Sequence, residues 1–239
     1  MAATETHPVI VPKLPYGLLW RSLSTDPTMA MCVVTLNGTI QFANGPWYWL
    51  VAGREQVPTP EPAHLSQIME PAWVEERLEL LRRCLVTGRT IALRTIWRGR
   101  QLLTLIHHVD PREDGESSNG AAGDAEGTDR FLLLSRPAPG DVSSMFAPGS
   151  ERAADLVKSG VMNLGPLSAL SPRELEVLAL CGQGMTSKQI AKSLFRSVRT
   201  VENHRASIAK KLRVRSATDL TWVARWLGLT TSDVELRRV

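Results

Sequence analysis

The residues best equipped for chemistry lie between positions 188 and 215. Lys188, Arg199, Arg205, Lys210, Lys211, Arg213 and Arg215 supply cationic donors there, Thr200 and His204 add neutral ones, and Glu202 is the only acid between Arg196 and Arg215. Cations at that density match the phosphates of a nucleic acid, contacts that fix register without reading sequence. Asn203 carries the paired donor and acceptor that fit adenine, Arg205 can address guanine or a phosphate, and Glu202 can accept from a cytosine amino group. His204 either donates to a phosphate or packs at the helix surface. A charge run alone is more often a solvated helix face, so the reading depends on the frame that presents it.

Elsewhere the chemistry is sparse. His107 and His108 are the obvious metal or heme candidates, but neighbouring strand residues point to opposite faces and cannot share one ion. His107 lies on a face with Leu103, Leu105 and Val109, which favours a core residue and leaves it a weak candidate for cofactor binding. His108 and Asp110 on the other face would be the start of a metal-dependent enzyme. No nucleophile–base pattern or Gly-rich phosphate loop supports one, so no catalytic residue is assigned and the chain reads as a non-enzyme. Cys32, Cys84 and Cys181 form no CxxC pair, which argues against a disulfide framework or a structural zinc site and leaves metal ligands unassigned. Cys84 reads as inert before it reads as a thiol sensor. Trp47, Trp49, Trp73 and Trp97 fill core or line a ligand cavity.

The frame for the basic cluster is written in its punctuation. Ser171 to Glu174 forms a capping box with Pro172 at the first helical position, predicting a helix that ends at Gly182 or Gly184. Thr186 to Gln189 opens a second short helix in the same way. Ser197 caps a third, over about 198–212, whose inner stripe is Val201, Ile208 and Leu212. Ser216 to Asp219 starts a fourth, which runs to about Leu227. The second and third helices make a helix-turn-helix, the third placed for the major groove of double-stranded DNA.

Charge divides along the same line. Residues 167–239 hold 13 Lys and Arg against 6 Asp and Glu, and residues 1–166 hold 15 against 18, within a chain of net charge +4. The basic excess belongs to the last third, which points to a polyanionic partner for that part alone. No apolar run approaches the roughly 18 residues of a membrane span. The N-terminus, broken by Pro8, Pro12 and Pro15, lacks a secretory pattern, so the expected location is cytoplasmic.

Upstream, strand and helix signals alternate. Cys32 to Leu36 and Thr39 to Asn44 flank an Asn37-Gly38 turn and predict a hairpin. Short helices follow over 46–51 and 64–69. A longer one opens at Pro71 and closes at Gly88, with Val74, Leu78, Leu81 and Leu85 on its buried stripe. Strands are predicted over 90–98, 101–109 and 130–136. Residues 111–129 are polar and Gly/Ser/Ala-rich, a flexible insertion. The expected organisation is an N-terminal extension over 1–25, a sensor or dimerisation domain over 26–138, a linker over 139–166 containing a helix-compatible piece, and a DNA-binding domain over 167–239. The amphipathic segment Tyr16 to Leu23 could serve as a dimer contact.

Residues 26–138, through this order of elements and the LNGTIQFAN hairpin, resemble a PAS sensor domain. The resemblance implies an α+β fold, a PAS-like antiparallel sheet with helices on one face, that binds a small ligand, heme or flavin, or pairs with its own copy, and signals to an attached domain. The LOV flavin signature is missing, since Gly53-Arg54-Glu55-Gln56 lacks its reactive cysteine motif. Residues 167–230 are similar to the LuxR-type helix-turn-helix of NarL/FixJ-like regulators, on LSPRELEVL, QIAKSLF, TVENH and KKLRV. That resemblance implies a four-helix all-α domain, with Glu174 and Gly184 at the family's glutamate and turn glycine, and Ile190 and Ala191 at its helix-packing pair. It implies DNA contacts by Thr200, Val201 and Lys211, and base reading around Glu202, Asn203, Arg205 and Ala206. It further implies a homodimer on paired half-sites, and RNA polymerase as a possible partner. A phosphoacceptor domain is not expected, because the only lysines of residues 1–166, Lys13 and Lys158, lie outside the segments read as core. A sigma-factor-like promoter-recognition subunit is the competing reading, weakened by the mixed sheet and helix upstream. The metal-dependent enzyme is weaker still.

Overall fold

Asn37 and Gly38 reverse the chain between β1 (Ala30–Thr35) and β2 (Ile40–Ala43). Gly38 takes a φ of 92°, and the Asn37 side chain accepts from the Thr39 amide at 3.1 Å, the local chemistry that a tight turn needs. The computed structural model describes residues 16–53, 63–109, 129–138, 140, 142 and 154–239. The expected extension through residue 15, Arg54-Glu55-Gln56, Asp110, the insertion over 111–128 and the start of the helix-compatible piece lie outside the described residues.

After the hairpin come α2 (Gly45–Trp47) and a π-helical turn over Tyr48–Ala52. Helix α1 (Tyr16–Ser24) itself precedes β1 and rests Trp20 on Phe42, ring centroids 4.9 Å apart. A 3-10 turn (Leu65–Gln67) leads to α3 (Pro71–Thr87), which Gly88 closes at a φ of 63°. Strands β3 (Ile91–Trp97), β4 (Arg100–Val109) and β5 (Arg130–Pro137) complete an antiparallel sheet in the order β2-β1-β5-β4-β3. One face packs against α2, the π-helical turn and α3 through Cys32, Val34, Ile91, Leu93, Ile106, Phe131 and Leu133, all nearly or fully buried. The sequence therefore predicts the right class, α+β with helices on one face of an antiparallel sheet.

Two features depart from the expectation. The stripe of α3 is wider than Val74, Leu78, Leu81 and Leu85: Trp73, Arg77, Leu80 and Cys84 are buried too, whereas Leu78 and Leu85 are only partly so. The segment read as a helix-compatible linker instead forms β6 (Asp155–Met162), which pairs in parallel with β3. Lys158, read as outside the core, is an exposed residue of that strand. The physical reason is the open edge of β3, whose unpaired backbone groups take a strand more readily than a helix, and Ser159 and Val161 are buried by the pairing.

The helical part follows with α4 (Pro172–Gly182), α5 (Ser187–Ser193), α6 (Val198–Lys211) and α7 (Ala217–Leu227). Their shared core of Leu175, Val177, Leu178, Ile190, Val201, Ile208 and Leu220 extends to Ile96 and Met162 of the sheet. A short terminal strand, β7 (Arg237–Arg238), pairs with β6. Arg94 of β3 reaches across: its guanidinium donates to both carboxylate oxygens of Asp233 at 2.7 Å and to the Gly228 carbonyl at 3.1 Å. The helical domain is thus docked on the sheet face that the N-terminal helices leave open.

Candidate nucleic-acid interface

Helices α5 and α6 begin where their side-chain caps dictate. Thr186 Oγ1 accepts from the Gln189 amide and Gln189 Oε1 from the Thr186 amide, at 3.3 and 2.8 Å. Ser197 Oγ accepts from the Thr200 amide at 3.1 Å, which fixes the first turn of α6. Between them Phe195 adopts a φ of 52° and stands 91% exposed, an unusual conformation for a non-glycine residue. Arg173 holds that turn to α4 by donating to the Leu194 carbonyl at 3.0 Å.

Val201 and Ile208 anchor α6 in the core. The opposite side of the helix carries Arg199, Glu202, Asn203, Ala206 and Lys210, all exposed, at the i, i+3, i+4, i+7 and i+11 positions of one stripe. Lys188 on α5 and Arg213 and Arg215 beyond α6 are exposed as well. The structure brings these eight groups to the surface of one helix-turn-helix; the other candidates are at least partly buried or already paired. Val201 is 1% exposed and packs in the core, so its expected DNA contact is corrected to a structural role. Thr200 and His204 are half-buried, and the Thr200 hydroxyl bonds to Ser197 Oγ at 2.8 Å. Arg205 is half-buried, and its Nη1 lies 3.4 Å from Cys181 Sγ on α4. Lys211 is exposed but already paired, its Nζ 2.7 Å from Glu174 Oε2.

Glu174 ties the frame together. Its carboxylate accepts from Ser207 Oγ at 2.6 Å, from Lys211, and from the Ser171 amide at 2.8 Å. Burial pushes this carboxyl up, but the bonds from Lys211, Ser207 and Ser171 outweigh burial and hold it at about 2. One buried acid of α4 thereby ties α4 to α6 through Ser207 and Lys211. Burial raises the Cys181 thiol, against the pull of Arg205.

Lys192 of α5 and Arg196 of the turn, the latter at the edge of the basic run, are exposed and basic as well. Their signal was the charge run itself, which extends the cationic surface across both helices.

The histidines show no joint site. His107 Nδ1 lies 3.0 Å from Thr90 Oγ1, and burial lowers its pKa. His108 Nε2 lies 3.0 Å from Asp129 Oδ1. Among the described residues, no cluster of His, Cys, Asp and Glu is arranged to hold a metal, and no helix is long and apolar enough to cross a membrane.

Residues 168–224 match the family model for bacterial regulatory proteins of the luxR family. Oxygen regulatory protein NreC of Staphylococcus carnosus is 47% identical over 55 residues, which make up 23% of this chain and 25% of that protein, and NreC of Staphylococcus aureus matches to the same extent. The alignment thus spans about a quarter of the length of these curated relatives. Among solved structures, a complex of VqmA of Vibrio cholerae with ligand and DNA is 16% identical, with 92% of this chain and 93% of that chain covered at a TM-score of 0.46. Capped geometry, core and family match coincide on the same residues, and the C-terminal domain of this chain is a LuxR-type helix-turn-helix domain.

Proposed function

We propose that the chain is a sequence-specific, non-enzymatic transcription regulator of the cytoplasm, in which the PAS-like domain senses a small ligand and controls the LuxR-type domain. The observation that carries the reading is the exposed stripe Arg199, Glu202, Asn203, Ala206 and Lys210 on a capped helix of that domain. Asn203 and Glu202 read base edges in the major groove, while Lys188, Arg199, Lys210, Arg213 and Arg215 hold phosphates. Arg205 supports the helix from its inner flank and reaches the groove only by leaving Cys181.

A homodimer on two half-sites accompanies this reading, since one short helix reads few base pairs. Exposed apolar side chains on α1 (Trp20, Leu23) and α7 (Trp222) support self-association. RNA polymerase is the partner through which a bound regulator would act. Control by the sensor is supported by the docked arrangement: Arg94 of the sheet, itself held by Gln101, grips the Gly228–Asp233 segment that follows α7, and Arg100 lies 4.4 Å from the Trp226 ring. A shift in the sheet therefore meets the helical domain directly.

The test is a titration of fluorescent duplex DNA with the full chain at several salt concentrations. Five phosphate-facing cations per protomer give a slope of log K against log salt of about −4 to −5 per protomer. Binding that is absent at low salt, or insensitive to salt, overturns the proposal.

A further inference from the structure

Arg94 and Lys158 are register partners on the parallel strands β3 and β6, so their side chains leave the same face of the sheet as neighbours. Like charges placed side by side on a sheet repel unless an anion answers them. Asp233 answers Arg94 alone. Both its carboxylate oxygens take guanidinium bonds at 2.7 Å, and Oδ2 also accepts from the Thr230 amide at 2.7 Å and hydroxyl at 2.8 Å. Among the described residues Lys158 forms no ion pair, and neither does Arg225 near the end of α7.

These cations meet in one place. A cavity of about 370 Å³ opens between the sheet and the helical domain, with Arg94 and Lys158 on its sheet side and Gln183, Arg225 and Thr230 on the other. Close packing sets its walls. A Cβ on Gly182 of α4 would stand 2.8 Å from the Ala224 carbonyl of α7, and one on Gly228 would stand 2.9 Å from the Gln101 side chain. Glycine at those two positions lets α4, α7 and the sheet approach one another, and the cavity runs along the seam they form. No Asp or Glu is among the described residues that line it, and neither α5 nor α6 contributes, so it is no part of the DNA-facing surface. A cleft lined by one sign of charge concentrates its potential and draws counter-ions.

Charge and size define the occupant. With Arg94 neutralised by Asp233, the lining keeps Lys158 and Arg225 uncompensated, a charge that a dianion balances and a monocarboxylate does not. A phosphomonoester carries about −1.5 to −2 at neutral pH, and its oxygens suit both the fork of an arginine and the point charge of a lysine. Bare phosphate would leave most of the volume empty, and Ala224 and Leu229 give the remaining space apolar walls for a carbon skeleton. We propose that this cavity binds a small phosphomonoester, its phosphate between Lys158 and Arg225. The site lies on the opposite face of the sheet from α3, and it needs neither DNA nor a ligand in the sensor core. A ligand there ties β6 to α7 and holds the helical domain docked on the sheet.

The experiment titrates the full chain with glycerol 2-phosphate, inorganic phosphate and acetate at constant ionic strength, following heat and Tm. Glycerol 2-phosphate should bind saturably at one per chain, more tightly than inorganic phosphate, and raise Tm, with no such response to acetate. Lys158→Gln and Arg225→Gln each remove one exposed charge and should weaken the ester about three- to tenfold. Without the ester each should keep Tm within about 2 °C of the native value, because no ion pair is lost. Lys210→Ala, which removes a cation of α6, should leave the affinity for the ester unchanged while it weakens DNA binding. Equal or tighter binding of inorganic phosphate shows an adventitious ion only and overturns the ester, and a matching response to acetate overturns the charge argument. The site itself is overturned by the lack of saturable binding or by unchanged affinity in both glutamine variants. A loss in Lys210→Ala as large as theirs puts the anion on the DNA-facing surface and overturns it too. So does a fall of several degrees in Tm of the unliganded glutamine variants, which shows that the two cations serve the fold.

Discussion

Asp233→Asn is the sharpest perturbation of the docked arrangement. In the native protein Arg94 and Asp233 form a two-pronged ion pair, both bonds 2.7 Å, with side chains 6% and 3% exposed. Gln101 Oε1 accepts from Arg94 Nε at 2.7 Å and the Gly228 carbonyl from Nη2 at 3.1 Å. The asparagine keeps the shape and the Thr230 amide bond but leaves Arg94 a buried cation without its counter-charge. Loss of one partner of a buried pair costs about 3–5 kcal/mol, and the remaining acceptors Gln101 and Gly228 place this case near the lower end, about 3 kcal/mol. At about 2–4 °C per kcal/mol for a chain of this size, Tm should fall by about 6–12 °C. Thermal unfolding followed by circular dichroism reads the shift, and Arg94→Met alone and combined with Asp233→Asn completes a double-mutant cycle. The double variant should be much less destabilised than the sum, since the stranded charge is gone. The pH dependence gives a second check. Burial raises the Asp233 carboxyl, but bonds from Arg94 and Thr230 outweigh it and hold the group below its ordinary value. Its contribution is therefore present above the unfolded pKa near 4 and is lost as pH falls through the folded value. Asp233→Asn should flatten that acid limb. A Tm shift below about 2 °C, or strict additivity in the cycle, refutes the reasoning.

Glu174→Gln should weaken the bonds to Lys211 and Ser207 and cost about 1–3 kcal/mol of stability by chemical denaturation. With the folded carboxyl at about 2, the wild-type contribution is complete above the unfolded value of 4.5 and fades between 4.5 and about 2, a loss the variant should not show. Asn203→Ala should weaken binding to a preferred duplex more than to random DNA, whereas Lys210→Ala should weaken both alike and lower the salt slope by about 1, as read by anisotropy titrations. Lys211→Ala, unlike Lys210→Ala, should also lower Tm, because it deprives Glu174 of a partner.

Local chemistry explains what the sequence made legible. The capping residues Ser171, Thr186, Ser197 and Ser216 each accept a bond from an amide three residues on, so helix starts could be read from residue type and spacing. The exposed stripe of α6 follows from the same periodicity. What escaped depends on partners distant in the chain. Nothing near Arg94 announces Asp233, 139 residues away, and nothing near Glu76 announces Ser159. Arg77 interrupts an apolar pattern and carries no local sign that it is buried. Val201 belongs to the inner stripe by its spacing and to the DNA contacts by the resemblance, and packing shows that the core claims it. The strand Asp155–Met162 exists because β3 offers an edge, a condition set by tertiary structure.

The most direct measurement of the central claim is selection of duplexes from a random pool by the full chain and by its Asn203→Ala variant. The account predicts an enriched sequence with two half-sites about one helical turn apart for the wild-type chain. It predicts relaxed preference at one position of each half-site for the variant, with the rest retained. No enrichment by the wild-type chain, or the same enriched sequence from both proteins, would contradict it.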